Sequence, residues 1–136
     1  MGAKTVELTD KNIESTVKGG GMVFIDFWAA WCGPCRAFAP VFESAAEKHA
    51  DIVFAKVNTD EQQALAQSFN VQGIPTLAIF REGILLFSQA GALPAAALEE
   101  LVERVRGLDM AAVRAEVESA AKAAEKKEEP EEGLKN

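Results

Sequence analysis

What this chain lacks narrows it first. It has only two cysteines and one histidine in 136 residues. A structural zinc usually takes four such ligands, so only a zinc shared between two chains stays open. Basic residues are in deficit: 14 Lys and Arg stand against 21 Asp and Glu, for a net charge of −7. The electrostatic footprint of a nucleic-acid binder is therefore missing. No apolar run approaches the ~18 residues of a membrane span. The opening "MGAKTVELTDKN" has no apolar core of a secretory leader, and Val6 stands where a myristoylation signal takes Ser or Thr. No internal repeat is visible. The expectation is a cytoplasmic protein that meets neither membrane nor nucleic acid.

What is present is ordinary globular composition, 49% hydrophobic and 26% charged, over a length that suits one domain with a core. Both cysteines fall in "FIDFWAAWCGPCRAFAP", residues 24–40. A cytosolic compartment keeps thiols reduced, which argues against a structural staple. A bridge from Cys32 to Cys35 would also close a very short loop, where the entropic gain is smallest. Redox chemistry is the favoured reading of the pair, with structural and metal roles behind it.

The hydrophobic pattern places that segment. Residues 5–9 alternate weakly, as a short edge strand does. A helix follows, with Asp10 as N-cap, Ile13 and Val17 on one face, and the glycines at 19 to 21 ending it. Those three glycines are more than a helix end needs, and nothing in the sequence explains them. Residues 22–29 form a near-continuous apolar run, the signature of a strand buried on both faces. Its faces are Met22, Phe24, Asp26, Trp28 and Val23, Ile25, Phe27, Ala29. After the cysteines comes a helix with Pro34 in its first turn and an apolar stripe of Phe38, Phe42, Ala45 and Ala46. Pro40 predicts a kink in it. His49, near its end, reads as a solvated side chain.

Residues 52–58 read as a second buried strand, and "DEQQALAQSFN" as a short helix capped by Asp60. A third strand spans 76–81. Glu82 and Gly83 supply a turn into a fourth, 84–90. A last helix begins near Pro94, carries Leu98, Leu101, Val102 and Val105 on one face, and stops at Gly107. The order β-α-β-α-β-α-β-β-α predicts an α/β fold: one mixed sheet of about five strands with helices on both faces. We place the domain at 1–107. From 108 the chain is alanine-rich, has no aromatic residue and turns acidic. It reads as a weakly amphipathic helix to about Lys127, then a charged, partly disordered end kept from helix by Pro130 and Gly133.

On this map Cys32 sits in the loop after a central strand, at the start of a helix, and Cys35 in the first helical turn. Free N–H groups and a positive partial charge there stabilise a thiolate, the form that attacks disulfides. Cys32 is thus the candidate nucleophile and Cys35 the candidate resolving thiol. Asp26 is the second signal. A carboxylate on a buried strand face is costly, and burial should raise its pKa toward neutrality. It reads either as a proton acceptor near Cys35 or as the ion-pair partner of Lys56; both can hold together. Pro75, in "GIPT", opens a strand, and is either a plain strand-start proline or a cis one.

Taken together these residues resemble the thioredoxin family over residues 5–106. The likeness lies in "FIDFWAAWCGPCR", "KVNTDE", "FNVQGIPTLAIF" and "AGA", in that order. It implies a thioredoxin-like sheet and dithiol–disulfide exchange on protein substrates. It also implies roles: Cys32 nucleophile, Cys35 resolving thiol, Asp26 buried proton carrier near Lys56, Pro75 cis and facing the cysteines. Trp31, Gly33, Pro34, Ile74, Gly91 and Ala92 would line the substrate surface with it. The implied partners are thioredoxin reductase and disulfide-containing proteins, with no metal and no cofactor of its own, and a monomer is expected. The extension after Gly107 is not part of a minimal member. The alternatives are a thioredoxin-fold interaction module whose tail binds a partner, or a disulfide oxidase or isomerase.

Overall fold

The structure, a computed structural model, describes residues 4–134, and side chains as far as residue 125. Its elements are β1 (Thr5–Glu7), α1 (Ile13–Lys18), β2 (Met22–Trp28), α2 (Gly33–Lys48), β3 (Val53–Asn58), α3 (Gln63–Ser68), β4 (Thr76–Arg81), β5 (Ile84–Ala90), α4 (Ala95–Arg106) and α5 (Met110–Leu134). The strands form one sheet in the order β1-β3-β2-β4-β5. β3 runs parallel to both β1 and β2, whereas β4 is antiparallel to β2 and β5 to β4. This is the mixed sheet expected from the sequence. Contacts divide the chain between Val102 and Glu103, inside α4.

β2 sits in the middle of the sheet because, Asp26 apart, its residues are apolar on both faces. From Val23 to Phe27 all are buried. On one face Val23, Ile25 and Phe27 join Ala55, Val57, Ala78 and Phe80, closed over by Ile13 and Val17 of α1 and by Leu65 and Phe69 around α3. On the other, Phe24 meets Phe54, which meets Phe42, with ring centroids 5.2 Å apart in each pair. Phe38 stands one turn before Phe42 at 5.7 Å. The predicted stripe of α2 therefore seats that helix on the sheet. Each such large side chain contributes roughly 1.5–3 kcal/mol by leaving water.

Several helix ends differ from expectation. α1 starts at Ile13, with Asn12 and not Asp10 at its N-cap position. The Asn12 side chain instead stitches the preceding loop: its Oδ1 accepts from the Thr9 N–H at 2.7 Å, and its Nδ2 donates to the Glu7 carbonyl at 3.0 Å. α3 starts at Gln63, so Asp60 does not cap it. Asp60 lies in a turn organised by Asn58, whose Oδ1 accepts the Asp60 N–H at 2.9 Å. α2 continues through Pro40 to Lys48. His49 is not solvated. Its side chain is only 14% exposed, its Nε2 lies 2.8 Å from Glu99 Oε1 of α4, and its ring stacks on Phe54.

Of the glycines at 19 to 21, one has a plain cause: Gly20 holds a φ of +94°, which L side chains rarely adopt. Glu82 and Gly83 both take positive φ, 56° and 77°, the signature of the tight turn that matches strand twist. In α5, Asp109 Oδ1 accepts from the N–H groups of Ala111 and Ala112 and starts the helix. Met110 is buried, Val113 half-buried and Val117 exposed. The helix runs to Leu134, past Pro130 and Gly133, where the sequence predicted a non-helical end. The run around them is Ala, Glu and Lys, all strong helix formers. The last two residues of that predicted end lie outside the described ones.

Candidate active site

β2 delivers the chain to a short loop, and the loop to the head of α2. The Cys32 N–H donates to the Ala29 carbonyl at 3.2 Å, and Arg36 Nη1 donates to the Ala30 carbonyl at 2.9 Å, which braces the turn from both sides. Cys32 occupies the N-cap of α2, with Gly33, Pro34 and Cys35 in its first turn. A proline there loses no helical hydrogen bond. The Cys35 N–H donates to Cys32 Sγ at 3.2 Å. The two sulfurs are joined as a disulfide, with the Cα atoms 5.2 Å apart. Both cysteines are nearly buried, packed with Ala29, Trp28 and Ile74.

The loop before β4 comes to the same place. The Ile74–Pro75 peptide is cis. The Ile74 carbonyl oxygen lies 3.6 Å from Cys32 Sγ. The Pro75 carbonyl accepts the Gly91 N–H at 2.8 Å, and the Thr76 hydroxyl donates to the Gly73 carbonyl. The structure thus gathers Cys32, Cys35, Ile74, Pro75 and Gly91. Trp31 stands on the surface, 69% exposed, with its indole N–H donating to Asp60 Oδ1 at 3.3 Å. Ala92 lines a small recess with Gly91 and the end of β5. Among the described residues no three His, Cys, Asp or Glu side chains cluster as a metal site would need.

Asp26 is fully buried, and neither carboxylate oxygen has a hydrogen-bond partner among the described residues. Burial pushes its carboxyl from 3.8 up to about 7; Lys56 pulls the other way, and Glu43 adds to the rise. Lys56 stands directly across from Asp26 in the strand register. Its ammonium, however, lies 3.5 Å from Glu43 Oε2 of α2 and 5.0 Å from the centre of the Trp28 ring. The two residues singled out together in the sequence are neighbours, and the lysine's ion-pair contact is with a third. Glu43 went unnoticed because a glutamate on a helix reads as a surface charge. A signal existed: it lies eight residues after Cys35, about two turns, hence near the same face.

A family model described as Thioredoxin matches residues 4–104. "Putative thioredoxin 2" of Streptomyces coelicolor is 54% identical over 110 residues, covering 81% of this chain and 82% of that protein. A thioredoxin of Alicyclobacillus acidocaldarius is 49% identical over 80 residues, 58% of this chain and 76% of that one. Among solved structures, a mutant thioredoxin from Halobacterium salinarum superposes with a TM-score of 0.70 at 35% identity, over 76% of this chain and 92% of that chain.

Proposed function

This chain belongs to the thioredoxin family, and from that premise we propose the part each side chain takes in its thiol–disulfide exchange. The chain is a protein-disulfide oxidoreductase. In the reduced protein the Cys32 thiolate attacks one sulfur of a target disulfide. A Cys32–target disulfide forms, and the other target sulfur leaves as a thiolate. Cys35 then gives up its proton, attacks Cys32 Sγ, closes the Cys32–Cys35 disulfide and expels the second target sulfur. Two electrons pass to the target, which ends as a dithiol. Thioredoxin reductase, the recycling partner general to this family, returns them to the Cys32–Cys35 pair.

The single observation that carries the assignment is the Cys35 N–H held on Cys32 Sγ at the head of α2. That donor and the positive end of the helix favour a thiolate on Cys32. Asp26 takes the Cys35 proton: a carboxyl near 7 is matched to accept one at neutral pH. Lys56 tunes that carboxyl. An extended target segment pairs with the backbone at Ile74, beside the attacked sulfur, in the manner of strand addition. Trp31, Gly33, Pro34, Pro75, Gly91 and Ala92 form its surroundings. We take residues 1–107 as the exchange domain and 108–136 as an extension, and place the protein in the cytoplasm as a monomeric reductant.

Two measurements test this. Cys32→Ser should abolish insulin reduction; retention of most turnover would remove Cys32 as the nucleophile. The reduction potential of the Cys32–Cys35 couple should lie at or below the cytosolic poise, and a value at the oxidase end would reverse the direction of the chemistry.

A further inference from the structure

One cation acts on two carboxylates at this site: Lys56 is across the strand register from Asp26 and pairs with Glu43. Lys56 projects from β3 opposite Asp26, on the face that α2 covers. Its stem is largely buried, and its ammonium is placed by Glu43 Oε2 at 3.5 Å and the Trp28 ring at 5.0 Å. Asp26, fully buried, has no hydrogen-bond partner among the described residues. The charged groups acting on Asp26 come from β3, as Lys56, and from α2, as Glu43. Across β2 on the other side, β4 offers only Leu77. Glu7 of β1 stands beside Lys56 in register and is exposed. The Lys56 ammonium has three donors, yet its ion-pair contact in this geometry is with Glu43. The partner that holds the ammonium therefore bears on how readily the other carboxyl ionises.

We propose that Glu43 is a positioning residue: by holding the Lys56 ammonium it denies Asp26 its nearest cation, and so sets the pH at which the Cys32–Cys35 pair exchanges. The inference rests on Asp26 acting as the proton acceptor. Glu43 touches neither the cysteines nor the target. It acts through Lys56 on Asp26, and through its own negative charge in the same direction. Both effects favour a protonated Asp26. Removing the charge at 43 frees Lys56 to turn to Asp26, and ionised Asp26 then becomes easier to form.

The test uses the full chain. Glu43→Gln keeps the size and removes the charge. In the oxidised protein, the titration midpoint of the Asp26 carboxyl carbon, followed by NMR, should fall by about one pH unit or more. The acid limb of the exchange rate against pH should move down with it. Glu43→Asp, which keeps the charge, should stay close to the parent. In an Asp26→Asn background Glu43→Gln should move nothing further. An unmoved or raised midpoint in Glu43→Gln overturns the proposal, as does an equal shift of the rate profile in the Asp26→Asn background. A different failure has its own signature. If Asp26→Asn alone leaves the rate profile unaltered while the NMR midpoint still falls in Glu43→Gln, the role of Asp26 in exchange is what fails, and the proposed control of exchange falls with it.

Discussion

The two faces of β2 are both buried from Val23 to Phe27 and differ in kind. Val23, Ile25 and Phe27 look into a closed apolar cluster under α1 and α3. Phe24 looks toward α2 and stacks on Phe54, but the next residue on that face is Asp26, fully buried. One face is built as an ordinary core. The other accepts a carboxyl pushed up to about 7 and a lysine shared with Glu43, on the side where α2 carries Cys35. Burying a carboxyl without a partner costs stability that an apolar residue would not. The difference teaches that one strand both holds the sheet together and carries a buried carboxyl, the group proposed above to take the Cys35 proton.

The comparison breaks most visibly at the sulfurs. Cys35→Ser should stop turnover and leave Cys32 covalently linked to its targets, seen as mixed disulfides on non-reducing gels; full turnover without trapped species would contradict the resolving role. It should leave the melting behaviour of the reduced protein close to the parent. On the closed face the effect should be the reverse. Phe27→Ala should cost about 3–5 kcal/mol of stability, because a large buried ring leaves a cavity. Urea melts measure it, and a loss under about 1 kcal/mol would mean that this face is not the core described.

Asp26→Asn should stabilise, with a pH dependence whose sign is set by the raised carboxyl. The folded protein holds a proton on Asp26 up to about 7, whereas the ordinary value is 3.8. Between those values the native state binds more protons than the unfolded one, so stability falls as pH rises through the window. The difference between parent and Asp26→Asn should be small below about pH 4 and grow to at most about 4 kcal/mol above pH 7. Urea melts of both proteins at three pH values check it; a constant difference would place the effect elsewhere than in this proton. The smallest effect is expected at the tail. Deleting residues 108–136 should cost at most about 2 kcal/mol and leave insulin reduction nearly unchanged. A change of light-scattering mass from dimer to monomer, or a large loss of activity, would make the extension a functional element.

Much of this was legible in the residues, for identifiable reasons. β2, β4 and β5 were marked by apolar runs and by the Glu82–Gly83 turn, which are local signals. Asp26 was legible because alternation put a carboxylate on a buried face. The cysteines were legible because a strand precedes them and a helix follows. What escaped was of two kinds, a choice between neighbouring cap candidates and contacts with distant partners. Asp10 and Asp60 looked like helix caps, yet Asn12 and Asn58 organise those loops instead. His49 pairs with Glu99, 50 residues away in the chain. The proposed part of Glu43 arises only where the register sets Lys56 across from Asp26 and α2 brings Glu43 to the lysine. No periodicity encodes that meeting of three elements.

The central claim is that the buried carboxyl on the α2 side of β2 serves the chemistry. Exchange rates of the parent and Asp26→Asn, measured between about pH 6 and 8, test it most directly. The account predicts a parent rate that rises as Asp26 ionises near pH 7 and an Asp26→Asn rate that is slower and loses that rise. Equal rates with equal pH dependence in the two proteins would contradict it and leave Asp26 with a structural role only.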